Sequence, residues 1–526
     1  MKGVARYPRM VVRVVSLCIF FCGYSGYGWA NEGDSLPSLP RIPSGQATPP
    51  KIQQYNLPPL LTPLAPEGNP LITPQEGKDV EVTTRQALSL QDALALALET
   101  NRKLQAAREA IIAARQNLRQ AQASFFPTLA VQSAVRGFST AQSDVSNRAQ
   151  RALAEDNRSG GSASGISLTW DAALQLGYTI YAGGQRRARV EQAEEQLRQA
   201  IYNELQVAQE TQLNVSIAYY ELQDADARIN IAKSALRNAT ISLEDAQARF
   251  ASGVGTKFAV LQAEVQLTNA EQQLVNAQRD REIAERSLAA ILSLGNQAGI
   301  LAKDKVKPNG QWELSLEDSI VLAWQQRPEL IIPLSQRRFQ EAQKQIALSG
   351  IRPNLSAFAR AESLRFIASP NELEAGGFGF GYAFGLEFRW NLFDGGASIA
   401  GARQAEANIG IADINYANTR NQIRLEVERA FSAFKANEKN LESAVLAVEQ
   451  ADESLRLARL RFQAGVGTQT DVINQENALT QAQGNLVTVV LGYNRAIAQL
   501  EQAVGNVPFN LKGMLQPVDQ VTSRIP

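Results

Sequence analysis

Apolar residues recur along this chain on two different periods, and the points where the period changes mark its elements. Leu90, Leu94, Ala97, Leu104, Ile111, Leu118 and Phe125 follow helical spacing from Ser89 until Pro127 stops it. A strand is predicted over 128–138. A second carries Ile166, Leu168, Trp170, Ala172, Leu174, Leu176, Tyr178 and Ile180 at alternate positions, with Ser167, Thr169, Asp171, Gln175 and Thr179 between them. Period two gives a strand with two unlike faces. After Gly183 and Gly184 a long helix is predicted over 184–250. Its distal seam (Leu222, Ala225, Ile229, Ala232, Leu236, Ala239, Leu243, Ala246, Phe250) alternates steps of three and four, as coiled coils do. At 1.5 Å per residue such a helix is about 100 Å long. A turn over 249–256 leads to a returning helix, predicted over 257–294.

The whole plan then repeats. Ser315, Leu316 and Asp318 match Ser89, Leu90 and Asp92, and Pro353 matches Pro127, all at an offset of 226. The turn Arg249-Phe250-Ala251-Ser252-Gly253-Val254-Gly255-Thr256 returns as Arg461-Phe462-Gln463-Ala464-Gly465-Val466-Gly467-Thr468, at an offset of 212. The difference is 14 extra residues between the first pair of strands. The chain therefore divides into a first repeat (88–295) and a second (315–508). The hairpins are 128–181 and 354–393, the long helices 184–250 and 396–462, and the second returning helix 469–505. Residues 296–314 read as an irregular connector and 509–526 as a tail.

The second hairpin carries the clearest two-faced strand. Phe378, Phe380, Tyr382, Phe384, Leu386, Phe388, Trp390 and Leu392 alternate with Gly379, Gly381, Ala383, Gly385, Glu387, Arg389 and Asn391. An aromatic face backed by a small or polar one suits a barrel wall with lipid outside and water inside. A soluble sandwich is the alternative, but two hairpins leave it short of strands. Four strands cannot close a barrel, and an open edge cannot span a bilayer. The fold class expected is mainly α with a membrane β-barrel part, assembled from several copies into a conduit.

Composition removes other classes. Formal net charge is zero, which argues against nucleic acid as a partner. Histidine is absent, and the cysteines are Cys18 and Cys22 alone. Both lie in a basic, then apolar N-terminal stretch that reads as a secretory leader over 1–30. No catalytic constellation, metal set or cofactor motif emerges, so an enzyme is not expected. Residues 31–87 form a proline-rich extension, either a tether or a docking arm; eleven of the 21 prolines fall within 31–85.

The duplicated helix–hairpin–helix plan, the paired Arg-Phe-x-x-Gly-x-Gly-Thr turns and the strand-ending Phe393-Asp394-Gly395-Gly396 resemble the TolC-like outer-membrane efflux and secretion channels. The resemblance covers about 88–508. It implies a homotrimer with a twelve-stranded barrel in the outer membrane of a Gram-negative-type cell. It implies a helical periplasmic tunnel that docks an inner-membrane pump through a periplasmic adaptor protein, for efflux or type I secretion. A periplasmic coiled-coil adaptor without a barrel is the alternative.

The resemblance also assigns residues. Arg249, Gly253, Gly255 and Thr256, with Arg461, Gly465, Gly467 and Thr468, become the periplasmic tips where adaptor docking is expected. Family members place two acids one helical turn apart at a constriction; the matching positions here are Asp471 and Asn474, against Ala259 and Gln262 in the first repeat. A ring of Asp471 favours cations. The Thr468-to-Asp471 spacing is equally that of a capping box. Arg249 and Arg461 either hold carbonyls at a helix end or bond across neighbouring helix pairs, while Phe250 and Phe462 read as the last seam residues. Trp170, Tyr178, Phe378, Phe380, Tyr382, Phe384, Phe388 and Trp390 are expected to face lipid.

Overall fold

The computed structural model describes residues 75–138, 145, 167–368 and 378–505, all within one unit spanning Tyr55–Lys512. The expected leader, most of the proline-rich extension, the hairpin loops apart from Val145, and the tail fall outside the described residues. The elements run β1 (Thr84–Leu88), α1 (Leu90–Thr100), α2 (Arg102–Ala123), β2 (Thr128–Phe138), β3 (Ser167–Ala182), α3 (Gln185–Ala251), α4 (Lys257–Ile291), β4 (Ala298–Ala302), α5 (Leu316–Gln326), α6 (Ile331–Leu348), β5 (Asn354–Ala368), β6 (Phe378–Arg389), α7 (Ala397–Gln463) and α8 (Gln469–Val504). The two long helices, 67 residues each, match the predicted spans to within a residue at either end. Among the described residues no helix is long and apolar enough to cross a membrane.

Two helices expected to be continuous are broken. The first breaks at Asn101, the second at Arg327, and these are equivalent positions of the two repeats. Both take an extended ψ near 120° and turn their side chains onto the end of a returning helix. Asn101 donates from Nδ2 to the Ile291 carbonyl (2.8 Å), and its Oδ1 accepts from Leu104 N. Arg327 donates from Nη1 to the carbonyls of Gln502 and Ala503. Each break thus satisfies carbonyls that a helix C-terminus leaves orphaned.

The connector is also more regular than its sequence suggests. Residues 298–302 form β4, which pairs in parallel with β1, Thr84 opposite Ala298. Glu285 of α4 is 1% exposed; it accepts from Ile300 N at 3.0 Å and from the Arg281 guanidinium. Arg281 also reaches Asp226 of α3. These ties fix β4 against both helices. Tyr219, fully buried, donates to the Leu88 carbonyl or to Asp304.

Around this level lie two equivalent cores. One gathers Leu88, Leu96, Val215, Tyr219, Leu222, Leu288 and Ile300; the other gathers Ile320, Leu330, Val427, Phe434, Ile497 and Leu500. Toward the turns the seams thin to small clusters around Ala246, Val260 and Ala263, and around Leu455, Val472 and Leu479. In α3, beyond the buried Leu222, the seam alanines 225, 232, 239 and 246 are the buried members, and the large residues between them are partly exposed. Alanine at those steps lets paired helices approach closely.

The remaining strands form one antiparallel sheet in the order β2-β3-β5-β6. The two hairpins have equivalent registers: Leu129 faces Leu176 as Leu355 faces Phe388. The sheet's apolar face collects Leu129, Val131 and Val135 of β2, Trp170, Leu174, Leu176 and Tyr178 of β3, Leu355 and Ala359 of β5, and the even-numbered aromatics of β6. The opposite face carries Arg136, Asp171, Gln175, Arg360, Glu362, Glu387 and Arg389, with ion pairs Arg136–Asp171 and Arg360–Glu362. A register shift between Thr179 and Tyr181 sets Tyr181 opposite Leu355, so the strict alternation expected through Ile180 ends at Tyr178.

Candidate functional site

The two turns that join long and returning helices lie together at one end of the bundle. Each ends its long helix in the same way. Gly253 (φ 79°) and Gly465 (φ 77°) take the left-handed conformation, and the amides of Val254 and Gly255 both donate to the Arg249 carbonyl. Val466 and Gly467 do the same to Arg461. Gly255 and Gly467 are needed for a different reason. A Cβ there would lie 2.8 Å from Phe250 N, or 3.0 Å from Phe462 N. Thr256 and Thr468 then cap the returning helices by accepting from the amides of Ala259 and Asp471, each at 3.2 Å.

The copies diverge at the next step. Asp471 Oδ2 accepts from Thr468 N at 2.9 Å and from the Thr468 hydroxyl at 2.8 Å, closing a reciprocal capping box that the first repeat, with Ala259, cannot form. These bonds, and secondarily the Arg461 charge, hold the carboxyl below the usual aspartate range. Asp471 and Asn474 are both exposed. The capping reading of Asp471 is therefore realised in the fold, and its carboxylate still faces solvent.

Arg249 does not serve its own helix. It donates from Nη1 to the carbonyls of Phe462 (2.9 Å) and Gln463 (3.3 Å), and its guanidinium lies 4.7 Å over the Phe462 ring. It clamps the end of the other repeat's long helix, the cross-pair alternative of the two readings. Phe462 is half-buried beneath it, whereas Phe250, its counterpart, is 47% exposed.

Further bonds join the two hairpins near the tip. Gln469, 4% exposed, donates to Ser242 Oγ of α3 at 2.8 Å. Thr470 meets Gln262, and Gln266 donates to Asn477 at 2.9 Å. Within the second hairpin, Arg459 donates to the buried Glu476, whose carboxyl is raised by desolvation in spite of that cation. None of these pairs was legible in the chain, because each depends on which helix packs beside α8: α3 for Gln469, α4 for Thr470 and Asn477, α7 for Glu476.

The lipid-facing candidates that lie within strands share one sheet face. Phe380 and Tyr382 are 84% exposed. Trp170 is half-buried, and its indole donates to Ser133 Oγ. Trp390 lies just beyond β6 and donates to the Ile351 carbonyl. Among the described residues no group of acids and cysteines is arranged to hold a metal.

Comparison with known proteins agrees with this geometry. Residues 93–294 and 322–506 match the family described as outer membrane efflux protein. Nodulation protein T of Rhizobium leguminosarum bv. trifolii is 22% identical over 417 residues, 78% of this chain and 84% of that one. Among solved structures, the outer membrane protein VceC of Vibrio cholerae superposes with a TM-score of 0.64 at 21% identity, covering 79% of this chain and 96% of that one. The Campylobacter jejuni CmeC outer membrane channel gives 0.65 at 18% identity, covering 86% and 97%.

Proposed function

The chain belongs to the outer membrane efflux protein family, and from that premise we propose that three copies close into one passive conduit from periplasm to exterior. The conduit opens at its helix tips when a periplasmic adaptor and inner-membrane pump dock there.

One observation carries the ring. The second repeat's α6 and α8 both pack on α3 of the first, and β5 pairs with β3. Among the described residues, α2 and α4 make no comparable packing on α7, and β2 does not pair with β6. Their surfaces are left apolar and uncovered. Phe258, Leu261 and Val265 of α4 are 67, 48 and 62% exposed; Val445, Leu446 and Leu460 of α7 are 52, 52 and 49% exposed. A neighbouring copy related by rotation supplies the missing partners and leaves no free strand edge. Three copies give twelve strands, enough to close around a lumen.

The register makes this testable. The Leu174–Ala361 pairing inside the chain transfers to Leu386 of one copy opposite Val135 of the next. Cysteines at these two positions should oxidise into an SDS-stable species of three chains, on a background free of other cysteines once the leader is removed. An open-ended ladder, or no cross-link in membranes, would sink the closed trimer. In planar bilayers the purified protein should give a small, cation-preferring conductance that an Asp471→Ala change makes less selective.

A further inference from the structure

We propose that each copy binds the phosphate of an outer-leaflet lipid at Arg365. This rests on the reading that the apolar sheet face is turned to lipid. Val135, Trp170, Arg365 and Phe378 stand in one row across all four strands, because each pairs directly with the next. Their side chains therefore share the apolar face. Among the paired, described residues of that face, Arg365 is the one charged side chain; every other charge of the sheet lies on the opposite face.

Its height on the wall fits a head group. The helices leave the sheet from the end at Asn354, so Arg365 stands toward the far, exterior end. The ten residues from Leu355 to Arg365, at about 3.4 Å each and tilted by about 40°, rise roughly 26 Å, close to the height of a barrel's apolar band of about 25 Å. A buried midplane arginine is costly, but the penalty nearly vanishes at the interface. Tyr178, Tyr181 and Trp390 mark the inner rim; Trp170 and Phe378 mark the outer one.

The side chain is also held in place. Its guanidinium carbon lies 4.9 Å over the Phe378 ring. That ring meets Trp170 edge-on at 6.0 Å and stacks on Phe380 at 6.4 Å. An aromatic platform beneath the fork leaves its N–H groups free to point along the wall, and a guanidinium matches a phosphate with two parallel hydrogen bonds. The first repeat offers no equivalent, since its position is Ser139. One site per copy is therefore expected, in a ring around the outer rim.

The test compares wild type, Arg365→Gln, Arg365→Lys and the opposite-face control Arg360→Gln. Each is reconstituted in phosphatidylcholine vesicles doped with phosphorylated lipid A or with the same glycolipid after phosphate removal. Native mass spectrometry of the extracted protein counts retained glycolipid. Wild type should keep the phosphorylated form about tenfold better than Arg365→Gln does. Arg365→Lys should recover part of that, and Arg360→Gln should match wild type. Equal retention by wild type and Arg365→Gln overturns the proposal, as does equal retention of the phosphate-free lipid. Conductance in pure phosphatidylcholine separates this failure from failure of the membrane reading. If no variant inserts and conducts, the lipid-facing assignment itself is wrong.

Discussion

Two carboxylates are poised in opposite directions by their surroundings. Asp471 is held low by bonds from Thr468, so its contribution to the tip is present above the ordinary aspartate pKa and lost as pH falls through the lowered folded value. Hydrogen-exchange protection at the start of α8, taken relative to the intrinsic amide rate at each pH, should fall in acid, and an Asp471→Ala change should abolish that acid-dependent loss. Glu501 is the reverse case. It lines a cavity of about 150 Å³ with Gln209, Tyr220 and Asn309, and burial alone raises its pKa. The same burial pushes the Tyr220 phenol up to about 12. Because the folded state holds the Glu501 proton more tightly than the unfolded chain does, stability falls as pH rises from the ordinary glutamate value through the raised one. A Glu501→Gln change should raise the melting temperature at pH 7–8 and leave it nearly unchanged at pH 4. A drop at neutral pH would mean that the charged form is held by a partner.

At the scale of elements, the helix breaks at Asn101 and Arg327 depend on side chains that reach the end of another helix. Arg327 is 4% exposed on its side chain, bonds two carbonyls of α8 and pairs with Glu329 and Glu426 at 2.9 Å each. It joins three elements at once. Replacing it with Met strands two carboxylates and the end of α8, and should cost about 3 kcal/mol, read as the urea midpoint of the helical circular-dichroism signal. A loss below about 1 kcal/mol would mean that water already serves these groups. Asn101 holds the equivalent place with a neutral amide. The repeats thus keep the backbone break while changing its chemistry, and no sequence repeat search would align the two residues by type.

For the whole molecule, the duplication is informative because one half shows what the other lacks. Arg249 clamps the α7 end of its own chain, so Arg461 should clamp the exposed Phe250 end of α3 in the next copy. In a trimer the six clamps would alternate between links within a chain and links between chains. Arg249→Ala and Arg461→Ala should each raise the open probability of the isolated channel, by similar factors. The double variant should exceed either one. If Arg461→Ala left gating untouched while Arg249→Ala opened the tip, the rotational equivalence of the repeats would fail at this end.

The chain's local sequence specifies the two repeats, the long helices with their seams, the tip turns and the two-faced strands. Each is written in local spacing: period two, steps of three and four, or a glycine where the backbone turns left-handed. It also indicated the capping box at Asp471, since cap and acid lie three residues apart. Packing, in contrast, sets the pairing of β1 with β4, the breaks at Asn101 and Arg327, and the service of Arg249 to the other repeat. These facts join residues about 175 to 215 positions apart. No local period records them; they arise from which helix ends the packed cores bring together. The row that sets Arg365 beside Trp170 and Phe378 has the same origin. Strand alternation gives a residue its face, but pairing between repeats gives it neighbours.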